Sequence, residues 1–401
     1  MTSSIIPRSA TIATLAACAV LGAYGTFVAG IKNGLFDSIT KSAGQKVHDK
    51  YFPGGPAPYK TTYTGFDVID GHLIILIAFF TYIIDGPKTW DVVLVYWYLM
   101  SQFCAGWTLL SLEGLRKGNK GRVVSWTGVM GFILQTFTFT ITVPVYLIMH
   151  LITSPMSTAE VSSQAILVDT SDSAILPLST TLSFVIPSVM MYLSAPAKVS
   201  ASTHYTWQAI WQVFPVMQSI YHWILRSILP GPSSRSSSST RAHIVGVYRY
   251  ILFLCFVPQI LLLTVAVTPA TVVPDVLKPM FQDVDLVSAF IPYWPWNSPT
   301  ANELAGAAAG LASATVVTAD GKADLVKLFL QWDVYCGGAA ILTWAVFIYG
   351  VARPEKSVIG SIVPKAVFWM VLGGPVGAAA MLLLERDAAA IGDAAERKKR
   401  H

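Results

Sequence analysis

Residues 325–351 read LVKLFLQWDVYCGGAAILTWAVFIYGV, an apolar run in which Lys327 and Asp333 are the only charged residues. A helix of about 20 mostly apolar residues can cross the hydrocarbon core of a membrane. The run therefore predicts a transmembrane helix that carries a carboxyl group within the membrane. Much of the remaining chain has the same character.

The composition excludes two large classes of protein. Of the 401 residues, 54% are hydrophobic and only 12% are charged, with a mean hydropathy of +0.57. Soluble globular proteins carry about 25% charged residues, and disordered proteins combine low hydrophobicity with high charge. The chain is therefore expected to be a polytopic membrane protein, and without a nucleic-acid-binding motif its net charge of +5 does not indicate nucleic-acid binding. The four cysteines lie far apart in apolar runs, which predicts buried free thiols.

Nine segments are candidates for membrane-spanning helices. They lie near residues 10–31, 68–86, 91–112, 123–152, 173–196, 207–229, 244–269, 325–351 and 360–384. These segments predict an all-α, polytopic integral membrane helix bundle of about eight or nine transmembrane helices, forming one domain over residues 1–401. No internal repeat is visible in the sequence.

Three details of this bundle stay open at the level of sequence. The fourth segment is long enough to tilt or to kink at Pro144. The region 1–31 is either the first transmembrane helix or a cleaved signal peptide. Residues 271–322 are expected to form a long loop, because the Ala- and Gly-rich stretch 303–317 is too short and too weakly apolar to span.

The orientation is predicted from the loops, since cytoplasmic loops carry an excess of Lys and Arg. With nine helices, one side receives Lys32, Lys41, Lys46, Lys50, Lys60, Arg116, Lys117, Lys120, Arg122, Lys198 and the tail Arg397–Arg400. The other side receives Arg8, Lys88, Arg235, Arg241, Arg353 and Lys356. We therefore expect a lumenal N-terminus and a cytosolic C-terminus, and the basic tail suggests the endoplasmic reticulum.

Several integral-membrane chemistries leave motifs that this chain lacks. It has only seven His residues, without HxxH or HxxxH boxes for iron, and no Asp-rich DxxxD motif for magnesium diphosphate within the predicted helices. It has no Walker A loop, GxSxG elbow or HExxH motif either. The expectation is a protein that uses neither a metal nor another cofactor.

Three carboxyl groups are the candidate catalytic residues. Ionisable groups inside a membrane are costly and indicate function by default. With the predicted orientation, Asp70, Glu113 and Asp333 all lie toward the cytosolic side and are expected to meet in one pocket. Desolvation favours the protonated form of a carboxyl group, which is the form that a general acid needs. For Glu113, a surface ion pair with Arg116 or Lys117 is an equally good interpretation.

Aromatic and basic side chains within the segments suggest a binding surface. Aromatic faces stabilise cations, and the chain has 12 Trp, 16 Tyr and 19 Phe. Helix packing or an interfacial aromatic belt explains many of them equally well. The candidate substrate-binding residues are Trp107, Trp332, His222 and Arg249.

A set of short motifs resembles a known family. They are Thr64-Gly65-Phe66-Asp67-Val68-Ile69-Asp70, Phe79-Phe80, Asp85-Gly86, Trp107 to Glu113, Arg116-Lys117-Gly118-Asn119-Lys120-Gly121-Arg122 and Gln331-Trp332-Asp333. Together they resemble fungal membrane-bound terpene cyclases of the type found in ascofuranone and ilicicolin biosynthesis. The similarity extends over most of the chain.

The resemblance implies a metal-independent reaction in secondary metabolism. In such enzymes a carboxylic acid protonates a terminal epoxide on a farnesyl chain attached to an aromatic ring. The epoxide opens to a cation, an alkene or hydroxyl attacks it, and a base removes a proton. The implied partners are a prenylated aromatic or polyketide epoxide, the lipid bilayer and other enzymes of the pathway.

Two rival functions remain at this stage. A membrane epoxide hydrolase or ether-ring-forming cyclase would use the same acid on a polyketide. A non-enzymatic lipid-binding protein or transporter would need no acid, although the absence of a visible repeat speaks against common transporter folds. The cyclase hypothesis predicts that Asp333→Asn or Glu113→Gln abolishes turnover without preventing membrane insertion.

Overall fold

The computed structural model describes residues 6–44, 55–56, 58–85, 90–158, 161–229, 237–278, 281, 286–310 and 321–400. Its main helices are α1 (Arg8–Lys32), α2 (Leu35–Ala43), α3 (Asp67–Ile84), α4 (Trp90–Gly114), α5 (Thr127–Thr153), α6 (Thr170–Met191), α7 (Ala201–Gln212), α8 (Phe214–Ile228), α9 (Ser237–Val267), α10 (Leu286–Phe290), α11 (Ala301–Gly310), α12 (Lys322–Ala352) and α13 (Val363–Arg400). Within the described residues, eight helices are long and apolar enough to cross a membrane: α1, α3, α4, α5, α6, α9, α12 and α13. The predicted all-α membrane bundle is thereby confirmed.

Contacts between helix ends define two faces of the bundle. At face I, Arg8 donates to the Ser157 carbonyl at 2.8 Å and Arg226 pairs with Asp169 at 2.8 Å. These contacts join the start of α1, the end of α5, the start of α6 and the end of α8. At face II, His204 lies 2.9 Å from Asp85, which joins the start of α7 to the end of α3. Lys327 and Asp91 pair at 3.2 Å and place the starts of α12 and α4 at face II as well.

The predicted span 207–229 is two helices rather than one. The break between α7 and α8 falls at Val213 (φ −107°, ψ 17°), directly before Phe214 and Pro215. Proline has no N–H and its ring clashes with the carbonyl four residues earlier, which favours a break in the helix at this point. Since α7 begins at face II and α8 ends at face I, the pair still connects the two faces.

Helix α5 is a re-entrant hairpin. Its break is Thr138 (φ 67°, ψ 166°) and not Pro144, where the sequence allowed a kink as one of two alternatives. The second arm returns beside the first, because Arg122 donates to the Thr153 carbonyl at 2.7 Å and Tyr146 donates to the Val124 carbonyl at 2.9 Å. Both ends of α5 therefore lie at face I, and the hairpin does not cross from one face to the other.

Helix α13 has the same construction. Its break is Gly374 (φ 67°, ψ −177°), followed by Pro375. Lys365 pairs with Glu385 at 2.7 Å, although 20 residues of straight helix would separate them by about 30 Å. A positive φ is costly for residues other than glycine, so Gly374 fits its break and Thr138 is strained at the other.

The two hairpins belong to equivalent halves of the fold. In the first half α4 runs from face II to face I and is followed by the α5 hairpin. In the second half α12 runs in the same direction and is followed by the α13 hairpin, and both hairpins have their ends at face I. Helix α1 packs against α5 and α12, and α9 packs correspondingly against α13 and α4. The structure therefore contains an internal repeat that the sequence did not reveal.

The predicted opposite placement of the chain ends is wrong. Arg8 lies at face I, and Asp387 of α13 pairs with Arg116 at face I as well, at 2.7 Å. The reason is that three of the nine predicted spans do not cross: both hairpins return to the face from which they enter, and α3 does not cross either. Helix α3 also has both flanks near face II, since Lys60 donates to Thr206 at 2.8 Å and Asp85 contacts His204.

The predicted grouping of basic residues changes accordingly. The basic loop Arg116–Arg122 shares face I with Arg8 and with Arg353 and Lys356, which join α12 to α13. Lys32 and Lys60 lie toward face II instead. Lys46, Lys50, Lys88 and Arg235 lie outside the described residues.

The remaining expectations concern the cysteines, the first segment and the long loop. Cys104, Cys255 and Cys336 are buried free thiols, and Cys18 is a partly buried one. Helix α1 packs in the bundle with Leu15 fully buried. The loop 271–322 contains α10 and α11, while residues 279–280, 282–285 and 311–320 lie outside the described part of the chain.

Candidate active site

A large cavity lies at the tip of the α5 hairpin. Its empty space, including the part that is open to the outside, is about 910 Å³. Helices α1 to α5, the end of α7 and α12 contribute to its walls. The lining residues are Phe27, Phe36, Ile39, Ile75, Leu76, Phe79, Phe80, Leu99, Met100, Phe103, Leu134, Gln135, Thr136, Thr138, Phe139, Trp211, Gln212, Phe329, Leu330, Asp333 and Val334.

Aromatic rings form much of the cavity wall. Seven phenylalanines and Trp211 line it, and they pack mostly edge to face, with ring centroids 5.0 Å apart for Phe79 and Phe329 and 4.8 Å apart for Phe80 and Trp211. The faces of aromatic rings are electron-rich and attract cations. The wall therefore suits an apolar ligand that develops positive charge.

Asp333 is the single ionisable side chain among the described lining residues. Its residue surface is 7% exposed, and its Oδ1 accepts the backbone N–H of Thr140 at 2.8 Å. The break at Thr138 leaves the first N–H groups of the returning arm without helical partners, and a carboxyl group at this place acts as an N-cap. One carboxyl oxygen is thus held by the hairpin, in a group that faces the cavity.

The cavity opens on the lateral surface of the bundle. Ile75 of α3 is 43% exposed and Thr136 of α5 is exposed, although both line the cavity. Their neighbours Phe132 and Phe137 are exposed as well. An apolar rim at the depth of the hairpin tip is suited to a ligand that arrives from within the bilayer.

The second hairpin break is capped in the same way by Gln102 of α4. Its Nε2 donates to the Gly373 carbonyl at 3.0 Å, and its Oε1 accepts the Val376 N–H at 3.2 Å. Asp333 of α12 thus caps the hairpin of the first half, and Gln102 caps the hairpin of the second half. The second tip is filled, since a Cβ placed on Gly373 would lie 2.3 Å from the Phe256 ring.

Asp70 and Glu113 do not line this cavity, so the expectation that three carboxyls meet in one pocket is wrong. Asp70 caps the start of α3: its Oδ1 accepts the backbone N–H and the hydroxyl of Thr64 at 2.7 and 2.8 Å, and its Oδ2 accepts the Gly65 N–H at 3.1 Å. Backbone donors at a helix start bind carboxylates well, which explains its burial without a catalytic role.

Glu113 belongs to a buried ion network at face I. It pairs with Arg116 at 2.7 Å and with Arg386 at 3.1 Å, and His150 lies 3.5 Å away. The pair with Arg116 has the predicted i,i+3 spacing, but both side chains are fully buried rather than on the surface. Asp387 completes the network through Arg116. The negative charges of the two carboxylates cancel the positive charges of the two guanidinium groups. The network therefore stabilises the ionised carboxylates and does not favour a carboxyl group that donates a proton.

Comparison with known proteins gives consistent matches over nearly the whole chain. The CtvD domain profile matches residues 10–391. The chain belongs to the CtvD domain family. No solved structure matches it.

The curated relatives of this CtvD-domain chain are fungal terpene cyclases. Terpene cyclase ascI of Acremonium egyptiacum is 27% identical over 390 residues, which cover 95% of this chain and 92% of that protein. Terpene cyclase ctvD of Aspergillus terreus is 21% identical, with 92% and 96% covered. Terpene cyclase verU1 of Penicillium polonicum is 23% identical, with 92% of each covered. The chain is therefore an enzyme of the terpene cyclase type.

The predicted substrate-binding residues of this CtvD-domain protein lie outside the large cavity. Trp107 donates from Nε1 to Gln218 and lines a second cavity of about 740 Å³ together with His222. His222 also contacts Asp172 at 3.3 Å. Trp332 donates to the Tyr293 carbonyl at 3.1 Å, and Arg249 is exposed on α9.

Two glutamines of the lining were not predicted, because only ionisable groups and aromatic rings were taken as candidates. Gln135 and Gln212 are uncharged amides within apolar surroundings, and neither Nε2 has a hydrogen-bond partner in the described structure. A polar amide in an apolar segment was the available signal. The described residues of this CtvD-domain chain contain no group of three His, Cys, Asp or Glu side chains suited to a metal ion.

Proposed function

We propose that this chain is an intramembrane terpene cyclase that protonates an epoxide on a prenylated aromatic substrate in fungal secondary metabolism, without a metal. The single observation that carries the proposal is Asp333, an isolated carboxyl group in a large apolar and aromatic cavity. Membership of the CtvD domain family supports the coarser reaction class. Asp70 and Glu113 stand elsewhere, so the acid role falls to Asp333 alone.

The chemistry follows from the surroundings of this carboxyl group. Its Oδ1 is fixed by the Thr140 N–H, so its other oxygen can present a proton to an epoxide oxygen. When the epoxide C–O bond breaks, the electrons stay on the oxygen and a carbocation remains on carbon. An alkene of the prenyl chain attacks the cation, and the cyclised cation then returns a proton to the Asp333 carboxylate, so that the overall reaction is an isomerisation.

The aromatic wall stabilises the cation, and the scarcity of polar groups in the cavity keeps water away from it. Water would trap it and give a diol, and an apolar lining keeps water away from reactive intermediates. Each aromatic face is worth about 0.5–2 kcal/mol to a nearby cation. The cavity therefore favours cyclisation over hydrolysis.

An epoxide hydrolase is the rival enzyme, because it would share Asp333 as the acid but add water to the epoxide.

One experiment separates these functions. Microsomes from yeast that express the chain receive an epoxy-farnesyl phenol, and the products are analysed by mass spectrometry against empty-vector microsomes. A new product of unchanged mass supports the cyclase, and a product heavier by one water supports the hydrolase. Asp333→Asn should remove the product, and Asp37→Asn, which alters an exposed carboxyl group paired with Lys41, should not. A wild-type chain that is present in the membrane and forms no product would refute the proposal.

A further inference from the structure

The large cavity contains polar groups that the acid does not account for. Gln212 is 3% exposed and Gln135 is half-buried, and both line the cavity. Neither amide nitrogen has a hydrogen-bond partner in the described structure. Buried polar groups are nearly always paired, so two amide nitrogens without a protein partner on one cavity point to partners that a ligand supplies.

The positions of both amides follow from breaks in the helices. Gln212 is the last residue of α7, directly before the break at Val213. Gln135 lies three residues before the break at Thr138, about 4.5 Å along the helix axis. Other glutamines in this region are engaged: Gln208 contacts His204 at 2.9 Å, and Gln102 caps the second hairpin.

We propose that Gln135 and Gln212 form a polar subsite that binds an oxygen substituent on the aromatic head of the substrate. The inference rests on the proposed cyclase function. The prenyl chain is hydrocarbon and its epoxide oxygen is served by Asp333, so the oxygens of the aromatic head are the remaining polar atoms to match. A primary amide both donates and accepts hydrogen bonds, and it therefore suits a phenol or a carbonyl.

The subsite also determines the shape of the bound substrate. Gln135 lies one helical turn from the break that Asp333 caps, so the aromatic head is bound close to the acid. An epoxide at the far end of the prenyl chain reaches the same acid only if the chain folds back. A folded chain brings the alkenes near the opening epoxide, which is the arrangement that cyclisation requires.

The test uses ligands that cannot react. Full-length protein in detergent is titrated with a farnesyl phenol and with a farnesyl benzene that lacks the oxygen, and binding is followed by tryptophan fluorescence. The variants are Gln135→Met and Gln212→Met, which keep the shape of the side chain and remove its hydrogen bonds. Gln259→Met is the matched control, because Gln259 is an exposed-surface amide that donates to the Val371 carbonyl.

The wild type should bind the phenol about tenfold more tightly than the benzene, the ratio that one lost hydrogen bond of ordinary strength produces. Either Met variant should lower this preference, while Gln259→Met should keep it. Gln135→Leu and Gln212→Leu give a second pair should the Met variants fold poorly.

The outcomes distinguish the subsite from the cyclase proposal. A preference that persists in both Met variants would overturn the subsite and leave the cyclase proposal standing. A preference lost in the variants, in a protein that forms no product from the epoxide, would support the subsite and refute the cyclase. A wild type that binds neither ligand overturns both.

Discussion

The Oδ1 atom of Asp333 accepts the backbone N–H of Thr140 at 2.8 Å, across 193 positions of sequence. This hydrogen bond links the proposed acid to the tip of the α5 hairpin. One carboxyl group therefore has a structural role and a chemical role at once. Suitable substitutions separate the two.

Asp333→Asn should remove the chemistry and keep the fold. The amide oxygen can still accept the Thr140 N–H, but the side chain has no acidic proton to give. Loss of a general acid costs about 10²–10⁴-fold in rate, so we expect kcat to fall by that factor with a melting temperature close to that of the wild type. Asp333→Leu should also leave the N–H unpaired, at about 1–3 kcal/mol, and lower the melting temperature. Equal melting temperatures for the two variants would contradict the capping role.

Glu113→Gln should destabilise the protein rather than disable the chemistry. It leaves Arg116 and Arg386 with one negative partner fewer in a fully buried network, and breaking a buried ion pair costs about 3–5 kcal/mol. Thermal unfolding in detergent and turnover per folded molecule are the measurements. Glu385→Gln is the control, because its pair with Lys365 is about one-third exposed and such pairs contribute about 0–1 kcal/mol. A stable Glu113→Gln protein with no turnover would return Glu113 to the list of catalytic residues.

The α13 hairpin can be tested by cross-linking. Lys365→Cys combined with Glu385→Cys should react efficiently with a short bismaleimide, because the two side chains are in contact. In a straight helix these positions would be about 30 Å apart, beyond the reach of the reagent. Mass spectrometry of the digested protein detects the linked peptides, and each single variant is the control. Absence of the linked peptide from an otherwise labelled protein argues for a straight helix.

Entry of the substrate through the lateral opening predicts that a larger side chain at the rim of the cavity raises KM. Thr136→Trp or Ile75→Trp should narrow the opening and raise KM severalfold, with a smaller effect on kcat because Asp333 is untouched. Val129→Trp is a matched control, since Val129 is 56% exposed on the same arm of α5 and does not line the cavity. Steady-state kinetics in proteoliposomes measure both constants. Unchanged KM in both rim variants would place the entrance elsewhere.

The fold predicts that both ends of the described chain lie on one side of the membrane. Face I carries Arg8 and the basic loop Arg116–Arg122, and cytoplasmic loops are rich in Lys and Arg, so we expect face I to be cytosolic. Epitope tags at either terminus should then be digested by protease added to intact microsomes. A tag that is protected at one end only would restore the opposite placement of the ends.

The apolar helices and the isolated charged residues within them could be predicted from the sequence. The run around Asp333 predicted both a membrane helix and a carboxyl group inside the membrane, because each depends on local composition alone. The break at Gly374 also had a local signal, the sequence Gly373-Gly374-Pro375, which favours interruption of a helix. The break was not predicted because the whole segment has the length and the apolar composition of a single transmembrane helix.

The break at Thr138 and the environment of Glu113 could not be predicted in this way. Thr138 has no sequence feature that indicates a positive φ, and its break is stabilised by Asp333, a residue of a distant helix. Glu113 pairs with Arg386, which lies 273 positions later in the chain. The i,i+3 spacing of Glu113 and Arg116 predicted their ion pair, but it could not predict that the pair is buried. Features that depend on contacts between the two halves appear only in three dimensions.

The exchange of caps between the halves makes each half depend on the other for folding. The α5 tip needs Asp333 from the second half, and the α13 tip needs Gln102 from the first. Unpaired backbone groups are poorly tolerated in hydrocarbon, so a half expressed alone is expected to be degraded. Two fragments divided between α8 and α9 and expressed together should instead assemble into one working enzyme, with interlocked hairpins in place of a covalent link.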